Sequence, residues 1–550
     1  MIFLALCVLQ VILWSPQLSS AIRVDLGYAT YESDLHLADG VVSFLGIRYS
    51  DSPTGQQRWR KPRSPPVVSG VQNTTSNPPQ CHHIPLVGTP GRSTNSPFRT
   101  TGIAEKPGVC VPAPFRLTYP RKDVAPYSED CLFLNVHVPV NQKTDSQLPV
   151  IVYMHGGGYD AGSATLYPVH DFVTMSNFGV ISVAIQYRLG AFGFLPGSNV
   201  KEDGDLNVGL LDQEFALQWV QKYIYKFGGD RSRVTIWGQS AGAGSVLQHA
   251  VAHGGNTQPP LFRSIIANSP CLLFQYRYDD PIPEALYSAV VSDAGCDTVD
   301  DAMKCLRDVD AAALLDAGTQ VGASSFLGTF TFVPVVDGTF IMERPTETLQ
   351  RGQVNGEMVL LTTTANEGAL FVNPDAIVHN GLTLHDYARG LFPRLDPTHI
   401  NELVTLYSSF DWASTVDQAT EMLGDSIFLC PTYFFAEAFK RRAWKARLDV
   451  APGFHGQDLS YEFSTFAIPP TVTDPAFLDA FRQSFISLAL WEDPGVRLSG
   501  GSIPSWPSWS KGHSEMRFDG GSLVIQPFAT DEELLERCEF WRSVAAVNAQ

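Results

Sequence analysis

A serine that follows an apolar run is the residue of this chain with the clearest potential for chemistry. Ser240 lies in the pentad Gly-Gln-Ser-Ala-Gly at 238–242, after the β-prone run 234–237 and before the helix-prone run 244–250. A serine at a tight strand-to-helix turn projects from the chain above a helix N-terminus, and flanking glycines remove steric obstacles. The pattern therefore predicts that Ser240 is a nucleophile.

A serine hydroxyl needs a base, a group that orients the base, and donors for the oxyanion that forms on attack. Upstream, the apolar run 148–154 leads directly into His-Gly-Gly-Gly-Tyr at 155–159. Three consecutive glycines leave backbone N–H groups free to turn toward a ligand. A merely flexible loop is the alternative, but such loops seldom follow so apolar a strand. The combination predicts an oxyanion hole.

Candidates for the acid and the base lie further along the chain. Glu367 follows the apolar run 358–363 and precedes a glycine, which suits an orienting carboxylate at the end of a strand. His455 lies between glycines on a predicted loop at 453–458. Either residue alone is weak evidence, because the chain has 13 histidines and acidic loop residues are common. Their order along the chain, serine then glutamate then histidine, is the order that a hydrolase triad on an α/β sheet requires.

The surrounding elements indicate an α/β fold. Apolar strand-like runs occur at 148–154, 180–186, 233–237, 263–267 and 357–363. Helical stretches at 210–226 and 245–251 lie between them, which is the pattern of a doubly wound sheet. A final helix is expected at 532–547. At the N-terminus, the runs 24–31 and 40–46 predict an antiparallel hairpin.

The chain as a whole resembles the type B carboxylesterase/lipase family, the cholinesterase-like branch of the α/β-hydrolases. The similarity extends from Val24 to Val547 and is greatest to fungal secreted esterases and lipases. Besides the serine pentad and the glycine triplet, the motifs that carry it are FLGIRY at 44–49, SEDCLFLNV at 128–136, QYRLG at 186–190 and NVGLLDQ at 207–213. The resemblance implies the α/β-hydrolase fold, a large mixed doubly wound β-sheet flanked by helices.

The resemblance also implies a role for individual residues. These are Ser240 as nucleophile, Glu367 as acid, His455 as base, the N–H groups of Gly157, Gly158 and Ala241 as the oxyanion hole, and Ser269 as a supporting residue near the acid. It further implies two buried ion pairs, Arg58 with Glu129 and Arg188 with Asp212. The implied activity is hydrolysis of carboxylic esters through an acyl-enzyme intermediate, with no metal ion and no cofactor.

The sequence narrows the substrate only in part. Cholinesterases have a glutamate before the nucleophile and a tryptophan in the first disulfide loop, whereas this chain has Gln239 and no tryptophan between Cys81 and Cys131. Neutral esters are therefore the expected substrates, with triacylglycerol lipase and aryl- or feruloyl-type esterase as alternatives. A non-enzymatic adhesion protein of the same superfamily is disfavoured, because such proteins typically lack the serine or the histidine and carry a transmembrane stalk.

The N-terminus and the composition indicate an exported protein. Residues 1–21 contain an apolar stretch that ends in small residues, which predicts a signal peptide and a secreted, extracellular protein. The absence of lysine and arginine from this segment leaves a short membrane anchor as the alternative. Residues 22–550 contain no repeat, low-complexity block or charged linker, and no run of the ~18–20 apolar residues that a transmembrane helix needs. A single catalytic domain is expected.

The charge balance disfavours some partners. The formal net charge of −18 comes from 38 basic and 56 acidic residues, and such a chain is repelled by nucleic acids and anionic membranes. A small-molecule or lipid ester is the expected partner. The sequence does not specify an oligomeric state.

The cysteines are typical of an oxidising compartment. Of nine, Cys7 belongs to the signal peptide, and the resemblance implies three disulfides among the rest: Cys81–Cys131, Cys296–Cys305 and Cys430–Cys538. Cys110 and Cys271 could pair with each other, stay free, or compete with Cys81 for Cys131. The segment between Cys81 and Cys131 is either a moving lid or a fixed surface loop. Asn73 lies in an N-glycosylation sequon on a predicted surface loop.

Overall fold

The structure is a computed structural model that describes residues 21–33, 39–84, 125–326, 328–379, 381–498 and 503–550. The expected signal peptide, apart from its last residue, lies outside the described residues. So do Cys110 and most of the segment between Cys81 and Cys131 for which a lid was considered.

Thirteen strands are present in the described part of the chain. They are β1 Ile22–Asp25, β2 Thr30–Ser33, β3 Val41–Arg48, β4 Val71–Asn73, β5 Phe133–Pro139, β6 Leu148–Met154, β7 Ile181–Ile185, β8 Gly229–Gln239, β9 Ser264–Asn268, β10 Met358–Thr364, β11 Ala443–Asp449, β12 Ser514–Asp519 and β13 Val524–Ala529. Ten of them form one mixed sheet in the order β13-β12-β11-β10-β9-β8-β6-β7-β5-β3. Strands β1, β2 and β4 form a small separate sheet.

The α-helices of the described residues, in chain order, are α1 Asp171–Met175, α2 Gly190–Phe194, α3 Ser198–Asp203, α4 Val208–Tyr223, α5 Ala241–Gly255, α6 Pro281–Asp293, α7 Ala302–Asp308, α8 Ala311–Ala323, α9 Pro345–Gln350, α10 Pro374–Val378, α11 Leu384–Leu391, α12 Pro397–Ser408, α13 Thr415–Gly424, α14 Cys430–Ala438, α15 Leu459–Glu462, α16 Pro475–Trp491 and α17 Glu532–Asn548. A π-helical turn, Asp425–Leu429, joins α13 to α14. None of the described helices is long and apolar enough to cross a membrane.

The centre of the large sheet is parallel and covered on both faces. Strands β6 to β12 pair in parallel, and every residue of β7, β9 and β10 is buried. One hydrophobic core packs α1 and α16 against one face, and a second core packs α4 and α5 against the other. Burial on both faces explains why these strands read as continuous apolar runs. Because parallel strands end at the same edge, the residues that follow β6, β8, β10 and β11 are brought close together.

The N-terminal hairpin expected between residues 24–31 and 40–46 is wrong. The hairpin lies within the first run, where β1 pairs with β2 and the N–H of Leu26 donates to the carbonyl of Ala29 across a turn that includes Gly27. Strand β3 instead pairs antiparallel with β5 at the edge of the large sheet. There Phe44 and Ile47 are fully buried, and this burial of apolar area decides the pairing.

The covalent and ionic links expected from the resemblance are present. Disulfides join Cys81 to Cys131, Cys296 to Cys305, and Cys430 to Cys538. The last of these ties α17 to α14. The Arg58 guanidinium contacts the Glu129 carboxylate at 2.6 Å, and that of Arg188 contacts the Asp212 carboxylate at 2.7 Å. The side chains of the Arg188–Asp212 pair are only 4% and 0% exposed, so removal of one partner would leave an uncompensated buried charge.

Candidate active site

The turn between β8 and α5 holds Ser240 in a strained conformation. Its φ of 58° and ψ of −127° are unusual for a residue with a side chain. The two glycines of the pentad permit the turn, since a Cβ atom at Gly242 would lie 2.1 Å from the carbonyl oxygen of Met154 and one at Gly238 would lie 2.3 Å from the carbonyl carbon of Gly242. The N–H of Ser240 donates to the carbonyl of Asn268 at 2.9 Å, which anchors the turn to β9.

Ser240, His455 and Glu367 form a continuous chain of hydrogen bonds. His455 Nε2 lies 2.7 Å from Ser240 Oγ, and His455 Nδ1 lies 2.6 Å from Glu367 Oε2. The carboxylate requires the ring proton on Nδ1, which leaves Nε2 free to accept the proton of the serine hydroxyl. The structure thus brings the three residues together from the ends of three different strands.

Glu367 is held as a carboxylate in a buried position. Its Oε1 accepts hydrogen bonds from Ser269 Oγ and from the N–H of Thr364, both at 2.7 Å. Burial opposes ionisation, but the electrostatic interaction with the His455 ring and the hydrogen bonds from His455, Ser269 and Thr364 outweigh it, so that the pKa of Glu367 lies below its usual value. Ser269 therefore lies in the supporting position beside the acid that the resemblance implies.

The glycine-rich loop after β6 lies over the serine. A Cβ atom at Gly156 would be 3.0 Å from the Cβ of Ser240. Gly157 and Gly158 have φ of 119° and 66°, and within the described part of the chain their N–H groups have no acceptor. Ala241 is the first residue of α5, where N–H groups lack an intrahelical partner. These three N–H groups are available to an oxyanion.

Residues that follow Cys81 of the first disulfide hydrogen-bond to the glycine-rich loop and hold it in place. His83 Nε2 bonds to the carbonyl of Gly162 at 2.7 Å, and the N–H of Ile84 donates to the carbonyl of Asp160 at 2.8 Å. Burial lowers the pKa of His83 to about 4, so its imidazole is neutral at working pH and donates to Gly162 from Nε2. These contacts could not be predicted from the sequence, because His83 and Gly162 are far apart in the chain.

An aromatic surface packs on the His455 ring. The ring centroid of Phe428 lies 4.4 Å from that of His455, and the centroid of Phe371 lies 5.2 Å away. Phe428 belongs to the π-helical turn, a feature often found at functional sites. Phe428 could not be predicted as a site residue, because a single π-helical turn has no recognisable sequence pattern. Phe371 could have been found from the sequence, since it follows Glu367 by only four positions.

Gln239, which precedes the nucleophile, and Cys271, which packs against Gly244 in the first turn of α5, add no charge to the site. The Gln239 side chain is buried, and its Oε1 would lie 3.1 Å from a Cβ atom placed on Gly156. Cys271 is free and buried, and burial raises the pKa of its thiol to about 12, which makes it unreactive. Among the described residues, no group of histidines, cysteines and acids is arranged to bind a metal ion.

Comparison with known proteins gives a consistent result. Residues 30–471 match the model of the carboxylesterase family. The chain is 31% identical to a secreted triacylglycerol lipase of Gibberella zeae, over 89% of this chain and 86% of the relative. It is 28% identical to a carboxylesterase of Aspergillus clavatus, over 95% and 96% of the two chains.

The structural comparison extends over the same length. The crystal structure of Aspergillus niger EstA superposes with a TM-score of 0.81 and 28% identity, covering 96% of this chain and 99% of that one. The mixed sheet flanked by helices is thus the α/β-hydrolase fold. The chain belongs to the carboxylesterase family, and it is a carboxylic ester hydrolase.

Proposed function

We propose that this chain is a secreted serine hydrolase of neutral carboxylic esters that acts through an acyl-enzyme on Ser240. The observation that carries the proposal is the chain of hydrogen bonds from Glu367 through His455 to Ser240, at 2.6 and 2.7 Å. No other nucleophile is required, because Ser240 already has a base within hydrogen-bonding distance and a base-orienting carboxylate behind it.

The first half of the reaction forms the acyl-enzyme. Ser240 Oγ attacks the ester carbonyl carbon while His455 Nε2 takes the hydroxyl proton, and the charge of the resulting imidazolium is stabilised by Glu367. The carbonyl oxygen becomes an oxyanion that accepts hydrogen bonds from the N–H groups of Gly157, Gly158 and Ala241. Collapse of this intermediate breaks the bond to the alcohol oxygen, which leaves with the proton from His455.

The second half returns the free enzyme. Water enters in place of the alcohol, and His455 takes one of its protons as the water oxygen attacks the acyl carbon. The second tetrahedral oxyanion uses the same three N–H groups. Its collapse breaks the bond to Ser240 Oγ, which recovers its proton from His455, and the carboxylic acid is released.

The preference for neutral esters rests on the residue before the nucleophile. Gln239 is a buried neutral amide, so no carboxylate from this position compensates the desolvation of a cationic head group. A triacylglycerol lipase is the second candidate, favoured by the similarity to the Gibberella zeae enzyme. Turnover of p-nitrophenyl esters of increasing chain length, below and above the concentration at which they form micelles, separates the two: only a lipase gains activity at the interface.

Export of the protein is part of the same proposal. We infer that residues 22–550 form one catalytic domain released after cleavage before Ile22, in line with relatives that are named as secreted. Asn73, which was expected on a loop, is the last residue of the short strand β4, and it is exposed, so its sequon is accessible to the glycosylation machinery. Mass spectrometry of the exported protein, with and without enzymatic removal of N-glycans, identifies the mature N-terminus and the occupancy of Asn73.

The nucleophile is tested by covalent labelling. An organophosphate such as diisopropyl fluorophosphate should add once to the protein, and peptide mapping should locate the adduct on Ser240. Loss of labelling in Ser240→Ala is the expected control. An adduct on any other serine, with hydrolysis abolished in parallel, would reject the proposal.

A further inference from the structure

Two buried carboxyl groups lie beside the triad and have no part in the reaction described above. Asp458 follows His455 by three positions, and Glu462 ends the short helix α15 that begins directly after Asp458. The two residues are 1% and 0% exposed, and the N–H of Glu462 donates to the carbonyl of Asp458 at 2.8 Å, so their side chains are neighbours on one helical turn. Among the described residues neither forms an ion pair with a lysine or an arginine.

This arrangement requires a proton. Two carboxylates have only acceptor atoms, and a pair of neighbouring buried negative charges is strongly unfavourable. Glu462 Oε2 and both carboxylate oxygens of Asp458 have no hydrogen-bond donor in the described part of the chain. A single proton on Glu462 Oε2, donated to Asp458, satisfies both groups and leaves one negative charge on the pair.

The direction of the pKa shifts agrees with this assignment. Burial, with the nearby charge of Glu367, raises the pKa of Asp458 to about 6. Burial and the charge of Asp458 raise the pKa of Glu462 well above its usual value. The proton that the pair shares is therefore assigned to Glu462, and the negative charge to Asp458. The other titratable groups that face the pair are His455, on the same loop, and Glu367, on the loop after β10.

The pair is connected to the nucleophile through Asn268. Glu462 Oε1 accepts from Asn268 Nδ2 at 2.7 Å, and Asn268 Oδ1 accepts from Trp237 Nε1 at 3.0 Å. The backbone carbonyl of the same asparagine accepts the N–H of Ser240 at 2.9 Å. The side-chain amide of Asn268 is thus held at both its nitrogen and its oxygen. The backbone carbonyl of Asn268 holds the strained turn at Ser240 in place.

We propose that Asn268, Glu462 and Asp458 form a positioning network that shares one proton, holds the Ser240 turn, and keeps one negative charge beside His455. The network deepens the proposed function and rests on it, because its kinetic effects presuppose that Ser240 and His455 act as assigned. A negative charge near His455 stabilises the imidazolium that forms during both halves of the reaction. None of the three residues touches the substrate in this proposal.

Infrared difference spectroscopy tests the shared proton without reference to activity. The spectrum of the wild type minus that of Glu462→Gln, at neutral pH, should contain the C=O stretch of one protonated carboxyl group. Absence of this band would show that Glu462 is ionised and would overturn the proposal. If the band is present but Ser240→Ala retains hydrolysis, the shared proton stands and the proposed function fails, so the two outcomes are distinguishable.

Kinetics test the positioning role. Glu462→Leu removes the acceptor for Asn268, and we expect kcat to fall about tenfold with KM within about twofold, the pattern for an interaction felt in the transition state. Glu462→Gln keeps an acceptor for Asn268 and a donor for Asp458, so it should recover most of this loss. Ser460→Ala, on the same helix, is the matched control for disturbance of α15. Equal losses in the Leu and Gln variants, or a change confined to KM, would contradict the role.

The pH dependence of kcat/KM tests whether the pair carries one negative charge. Glu462→Gln leaves the charge of Asp458, so the acidic limb of kcat/KM should keep its midpoint. The double variant Asp458→Asn/Glu462→Gln removes the charge that stabilises the imidazolium, and the acidic limb should move to lower pH by at least about half a unit. An acidic limb that shifts downward already in Glu462→Gln would mean two charges in the wild type. An unmoved limb in the double variant would mean none, and either result would refute the shared proton.

Discussion

Replacement of Glu367 by glutamine gives a quantitative prediction, because the structure fixes which atom of the new side chain faces the base. Glu367 Oε1 accepts from Ser269 Oγ and the N–H of Thr364 at 2.7 Å, and both are donors. The amide oxygen of glutamine must take this position. Its NH₂ group then faces His455 Nδ1, where the wild type has the acceptor Oε2 at 2.6 Å.

The consequence is the wrong tautomer of the base. An NH₂ group at Nδ1 requires an unprotonated Nδ1, so the ring proton moves to Nε2 and the imidazole no longer accepts the proton of Ser240. In a serine protease the equivalent change lowers kcat by about 10⁴-fold. A loss of about 10⁴-fold corresponds to roughly 5.5 kcal/mol of transition-state stabilisation at about 1.4 kcal/mol per tenfold.

The assay is steady-state hydrolysis of p-nitrophenyl butyrate, with thermal unfolding followed by circular dichroism. Glu367→Gln should keep its KM within a few fold and its cooperative unfolding transition, since it retains the shape and two of the hydrogen bonds. Ser269→Ala is the matched control: it removes one donor to the same carboxylate but keeps the tautomer. It should lose about ten- to a hundredfold in kcat, the equivalent of one hydrogen bond to a charged group of about 1.5–3 kcal/mol. A Glu367→Gln enzyme within about tenfold of the wild type would refute the orientation mechanism.

Three further predictions follow from contacts around the site. His83→Ala removes the donor to the carbonyl of Gly162 and should lower kcat several-fold to about tenfold at unchanged KM, whereas the neighbouring His82→Ala should have little effect; equal losses in both would contradict a specific support of the oxyanion loop. Asp212→Asn leaves the buried Arg188 guanidinium without its counter-charge and should lower the free energy of unfolding by about 3–5 kcal/mol, measured by urea denaturation, and a loss below 1 kcal/mol would be inconsistent with the pair's burial. Butyrylthiocholine should be hydrolysed with a kcat/KM at least about tenfold below that of an uncharged thiobutyrate ester of similar leaving-group pKa, because the cation is desolvated without a compensating carboxylate; a better choline ester would reveal another cation site.

Most strands of the large sheet could be predicted from local sequence patterns, because strands that are buried on both faces are continuous apolar runs. Four of the five expected strands match the observed bounds within one residue, and only β8 starts earlier, at Gly229. The failed hairpin has a physical reason: both expected strands are apolar, and the choice of partner depends on burial in a sheet whose other strands come much later in the chain. Strand existence is a local property, whereas strand pairing is not.

In the candidate site, too, some residues could be predicted from the sequence and others could not. Ser240, the glycine triplet, Glu367 and His455 each follow a strand, so their positions could be predicted from motif order and from the rule that parallel strands end at one edge. The supporting contacts could not. Asn268 and Glu462 are separated by 194 positions, and the bond between His83 and Gly162 spans 79, so no periodicity or motif connects them. Phe428 depends on a π-helical turn that only the folded chain reveals.

Acylation of Ser240 is the step on which the whole account depends, and trapping it is the most direct measurement. The protein is mixed with p-nitrophenyl butyrate, quenched in acid within one turnover and mapped by mass spectrometry. A butyryl group on the peptide that contains Ser240, with a burst of p-nitrophenol of one equivalent per active site and neither signal in Ser240→Ala, is the predicted result. A butyryl group on another residue, or Ser240→Ala turning over the ester at near the wild-type rate, would contradict it.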